Sequence, residues 1–62
     1  MFILKLKNGN YVGSPLDTVT DNPHNAACWT TKEASLEVAA RDSTPVPFQP
    51  EADAWLARRD TL

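Results

Sequence analysis

Phe2-Ile3-Leu4-Lys5-Leu6-Lys7-Asn8-Gly9-Asn10-Tyr11-Val12 is the stretch on which the fold turns. From Phe2 to Lys7 the side chains alternate, with Phe2, Leu4 and Leu6 on one face and Ile3, Lys5 and Lys7 on the other. Period-two patterning is the mark of a strand. Asn8-Gly9 follows at once, and both residues tolerate the positive φ that a two-residue type I′ turn requires. Such a turn pairs Lys7 with Asn10, Leu6 with Tyr11 and Lys5 with Val12. The reading is therefore an N-terminal β-hairpin over 2–13, closed by Gly13-Ser14-Pro15, because proline carries no amide to extend a ladder.

A second organising stretch is Cys28-Trp29-Thr30-Thr31-Lys32-Glu33-Ala34. It reads as a short strand, Ala26 to Trp29, running into a helix start. Thr30 is placed to cap the helix, with Glu33 three residues on to complete a capping box. Trp29 anchors the corner and Cys28 fills space beside it. From Thr31 to Arg41 the periodicity is ambiguous: Ala34, Leu36 and Val38 alternate as in a strand. The alanines and the Glu33, Glu37, Arg41 spacing favour a helix. The unit is a strand–helix over 26–41.

Between these stretches, Leu16 to Asn25 is rich in Asp, Thr, Asn and Pro, and Asp21-Asn22-Pro23-His24-Asn25 is turn chemistry. After them, Pro45 and Pro47 in 42–49, with Pro50 just beyond, mark an extended linker pinned by Val46 and Phe48. A second helix spans 50–60, with proline in its first turn, Glu51 and Asp53 near its positive end, and Arg58 and Arg59 near its negative end. Ala52, Trp55, Leu56 and Arg59 form a stripe along it. Trp55 has two readings: it docks the helix on the hairpin, or, flanked by Arg58 and Arg59, it is an interaction hot spot, since Trp and Arg dominate such sites. The fold class is α+β: a small antiparallel sheet, made of the hairpin and a short third strand, with one or two short helices packed on one face. The 62 residues make a single small domain.

Composition narrows the chemistry. A chain of this length buries only about 60% of its unfolded surface. The expected core is Phe2, Ile3, Leu4, Leu6, Tyr11, Trp29, Leu36, Val38, Trp55 and Leu56. A single cysteine excludes an internal disulfide, and with the absence of a signal peptide it points to a reducing cytoplasm. Net charge is −2, so no strong field favours nucleic acid; the charge is uneven, with Lys5 and Lys7 the only charges before Asp17, which reads as a basic strand edge that deters aggregation or as a phosphate-binding strip. Apolar runs are too short to span a membrane. His24 and Cys28 lie four apart without a third group to orient them. A metal at Asp21, His24 and Cys28 lacks a fourth ligand. No catalytic residue, metal or cofactor is expected.

The plan of a hairpin ending Asn8-Gly9-Asn10-Tyr11-Val12, followed by Trp29-Thr30-Thr31-Lys32-Glu33-Ala34 opening a helix, resembles small accessory proteins encoded by tailed bacteriophages. These are compact hairpin-plus-helix modules that bind and redirect host enzymes or defence complexes. The resemblance covers roughly residues 2 to 41 and transfers no functional residue. It implies a non-catalytic protein–protein interaction module in the host cytoplasm, an inhibitor or modulator whose partner is a host protein or complex. The contact residues expected from the sequence are Trp55, Arg58 and Arg59, aided by Tyr11. Two other classes remain: a nucleic-acid-binding accessory protein using Lys5 and Lys7, and a structural homo-oligomer such as a homodimer.

Overall fold

Phe2–Leu6 forms strand β1, and its neighbours explain its nearly unbroken apolar reading. The computed structural model describes residues 1–39 and 41–60. Ala40, expected near the end of the first helix, and Thr61 and Leu62 lie outside the described residues. In chain order the other elements are β2 (Tyr11–Val12), β3 (Val19–Thr20), a 3-10 turn at Pro23–Asn25, β4 (Cys28–Trp29), α1 (Lys32–Leu36), β5 (Ser43–Pro47) and α2 (Phe48–Asp60). The chain is α+β, with a five-stranded antiparallel sheet. Ile3 and Leu4 point to opposite faces of β1, yet they are 0% and 1% exposed. Both faces are covered, as for a central strand.

Both edges of β1 are paired as well. β5 runs along one edge for its full length, from Phe2 opposite Pro47 to Leu6 opposite Ser43. The other edge is shared: β4 takes Phe2 and Ile3, through Trp29 and Cys28, while β2 takes Lys5 through Tyr11. β3 pairs β2 on the outside. The two strands that share the edge meet where Gly13 bridges Ala26 and the Ala27 amide donates to the Val12 carbonyl at 3.1 Å.

The hairpin forms where the sequence places it, but its register is shifted by one residue. Tyr11 lies opposite Lys5, not Leu6. Gly9 alone takes positive φ, at 91°, and no non-glycine residue does. Asn8 therefore does not supply the second positive φ of a type I′ turn. The chain instead makes a turn in which the Gly9 amide donates to the Leu6 carbonyl at 3.0 Å and the Leu6 amide to the Asn10 carbonyl at 2.7 Å. The extra residue is absorbed at glycine, as in a bulged three-residue hairpin. Asn8 supports it, its Oδ1 accepting from the Asn10 amide at 3.0 Å. The shift moves Tyr11 to the Lys5 face.

The segment read as a proline-rich linker is a strand. The Lys7 amide donates to the Asp42 carbonyl at 3.1 Å and the Phe48 amide to the Met1 carbonyl at 2.9 Å. These bonds bracket β5 and put the even-numbered residues' backbone groups towards β1. Pro45 and Pro47, at odd positions, direct their missing donors to the outer side. Alternate prolines thus cost no ladder bond, and they blunt the edge they occupy.

The first helix is shorter than expected and is capped one residue later. Thr31, not Thr30, is the cap, its Oγ1 accepting from the Ala34 amide at 3.2 Å. Glu33 then sits one position too early for a capping box. The helix narrows at its end, where the Val38 amide bonds the Ser35 carbonyl and the Ala39 amide the Leu36 carbonyl, three residues back. Its inward residue is Ser35, 0% exposed, whose Oγ donates to the Lys32 carbonyl at 2.6 Å. Leu36 and Val38, expected in the core, are exposed because Ser35 occupies the inward position. Leu56 is exposed beside the inward Trp55 of α2, and Cys28, expected to be buried, is exposed.

Two glycines carry distinct conformational loads. Gly9 has open space around it, so Gly9→Ala should cost about 1 kcal/mol from the left-handed backbone alone. A methyl at Gly13 would run into the Thr18 hydroxyl, which itself donates to the Pro15 carbonyl at 2.7 Å. Gly13→Ala should therefore be the more destabilising of the two in urea unfolding. Equal losses would show that the Gly13–Thr18 approach is slack.

Candidate functional site

Helix α2 carries its functional side chains on one flank because Glu51, Trp55, Arg58 and Arg59 follow helical spacing. Ala52, 2% exposed, lets the helix approach the sheet closely. The helix also leans on the 3-10 turn. Asn22 caps that turn, its Oδ1 accepting from the His24 amide at 2.9 Å, with backbone angles in the extended region as the following proline demands. His24 is held edge-on to two rings of α2, at 5.5 Å from Phe48 and 5.7 Å from Trp55. The Arg59 guanidinium lies over the Trp55 ring, 4.8 Å from its centre.

Beneath this flank Glu51 ties helix to sheet. One of its oxygens, Oε1, accepts from the Tyr11 hydroxyl at 2.8 Å and pairs with Lys5 Nζ at 3.0 Å. Burial raises the Glu51 carboxyl, but hydrogen bonds from Lys5 and Tyr11 and the charges of Lys5 and Arg58 outweigh it, so the group titrates below its ordinary 4.5. Tyr11 is raised above 10.0, first by burial and then by its bond to Glu51; Arg58 opposes the shift. Tyr11 is 1% exposed. It was expected both in the core and as an aid to a surface contact; it lies in the core, where its job is to anchor α2.

Above the flank lies an open groove of about 680 Å³. The hairpin turn Asn8–Asn10 forms one wall, Asp21, Asn22 and Asn25 a second, and Trp55, Arg58 and Arg59 the third. Trp55 is half-buried, its inner side against His24. Three of the four residues expected as contacts are thus brought together, and Tyr11 is not among the residues lining this groove. The asparagines were read only as turn formers. Two separate turns rich in carboxamides are the signal that they share a surface, and only the β2–β3 meander brings them face to face. Lys5, expected to serve a nucleic-acid reading, is engaged by Glu51.

Family models, curated proteins and solved structures yield no match to this chain. What the site does therefore rests on its own geometry. Among the described residues no group of His, Cys, Asp and Glu is arranged to hold a metal, and no helix is long and apolar enough to cross a membrane.

The Glu51 node sets a pH dependence. Its lowered carboxyl contributes stability that is complete above 4.5 and is lost as pH falls through the lower folded value. Tyr11 has the opposite sign: its contribution is complete below 10.0 and is lost as pH rises through its raised value. Lys5 is 37% exposed, so water screens its share. Glu51→Gln should therefore cost only about 1 kcal/mol at neutral pH, while flattening the acid limb of a stability–pH profile. Tyr11→Phe should shrink that limb without abolishing it, because Lys5 and Arg58 still lower the carboxyl. An acid limb unchanged in Glu51→Gln would remove Glu51 as its source.

Proposed function

We propose that the protein is a non-catalytic interaction module that docks a partner protein through the groove bearing Trp55, Arg58 and Arg59. The observation that carries this is the concentration of a half-buried tryptophan and two arginines on one open, concave surface. Residues of these types, partly desolvated at the centre of a polar rim, are those that supply most binding energy at interfaces. The polar rim here is the ring of asparagines. An open trough suits a segment of another chain better than a small molecule, which is usually enclosed over most of its surface. The resemblance to phage accessory proteins completes the reading: the partner is a host enzyme or defence complex, and binding inhibits or redirects it.

Tagged protein expressed in a bacterial host should capture a stoichiometric partner. Trp55→Ala should abolish that capture, a loss of about thirtyfold or more in affinity for a hot-spot tryptophan, roughly 2 kcal/mol or more. His24 and Arg59 both lean on Trp55, so the variant's melting temperature is measured in parallel. Arg59→Ala, at an exposed position, serves as the second variant. Capture that is unchanged in both variants would move the contact off this groove.

A further inference from the structure

The groove has a polarity opposite to that of the chain as a whole. The protein carries eight acidic residues against six Lys and Arg, whereas among the described residues the groove is lined by two arginines and one acid, Asp21. An electropositive trough favours an anionic occupant and disfavours the same groove on another copy of the chain.

The geometry of Arg59 sharpens the chemistry. Its guanidinium carbon lies over the Trp55 ring, 4.8 Å from the centre, so the charge is held against the ring face at the groove. A guanidinium is a planar fork that matches a carboxylate with two parallel hydrogen bonds. The opposite walls hold carboxamides, each with a donor and an acceptor, which is also the inventory of a peptide unit. Asn8 and Asn22 use their Oδ1 atoms within the chain, holding their own turns in place. Their amide nitrogens, with Asn10 and Asn25, complete the wall.

We infer that the groove takes an extended acidic peptide segment, its carboxylate forked by Arg59 on the Trp55 platform and its main chain held by the asparagine walls. This rests on the interaction-module reading and names the chemistry of the partner's contact.

The test is selection from a randomised peptide library on the immobilised full-length chain, followed by fluorescence anisotropy of the selected peptides. Selected sequences should be enriched in Asp and Glu. Replacing their acids by the amides should remove binding. Arg59→Gln should weaken binding about tenfold, the value of one charge-assisted fork. Arg59→Lys should recover only part of the loss, because it restores charge without the fork. Selection that yields no binders, binders without acidic bias, or an acidic bias that persists in Arg59→Gln would overturn the inference. So would an oligonucleotide that displaces every selected peptide through Arg59, since phosphate would then be the better occupant. Acidic selection together with host-partner capture unchanged in both Trp55→Ala and Arg59→Ala would keep the groove chemistry and overturn the groove as the host contact. Capture lost in Trp55→Ala without acidic selection would do the reverse.

Discussion

Every long-range feature of this chain depends on one five-residue strand being saturated on four sides. Ile3 and Leu4 bury opposite faces of β1, β5 pairs one of its edges, and β2 and β4 divide the other. A small domain has few residues with which to build a core. Concentrating burial and pairing on one strand gives each of those residues more than one stabilising contact. Deleting methylene groups at Ile3 would therefore disturb the packing on its face of the sheet together with the pairing of β4 and β5. The short outer strands β2, β3 and β4 have little pairing of their own, and they are ordered because β1 is.

The second constraint is the node at Glu51. A tyrosine hydroxyl buried in the middle of a three-stranded meander needs an acceptor, and a lone carboxylate beside it would need a cation. Lys5 supplies the cation from the strand opposite Tyr11, and the α2 carboxylate satisfies both. The node fixes the rotation of α2, and with it which flank faces the hairpin turn. Structure and candidate function are linked here, because the same rotation presents Trp55, Arg58 and Arg59 to the groove.

Much of this was legible in the residues, and the failures have physical causes. The hairpin, the strand at Cys28–Trp29 and the helix with arginines in its last turn follow from period and capping rules. The register did not, because Asn-Gly serves either a two-residue turn or a bulged one, and the choice lies in whether Asn8 accepts positive φ. The strand β5 was hidden because prolines were counted as breakers; their spacing of two, which puts both missing amides on one side, is the signal that admits them. Thr30 and Thr31 are equivalent caps by residue type, and packing of Ser35 decides between them. Of the site, Trp55, Arg58 and Arg59 are legible from helical spacing on one element. The asparagine walls come from turns more than ten residues apart and become neighbours only through the meander.

The prolines of β5 also bear on assembly symmetry. Adding sheets head to tail requires two open edges of different kind, and repetition of that contact gives an unending row of copies. Here the outer edge of β5 offers no amide at Pro45 or Pro47, so it is a poor link for a row of that kind.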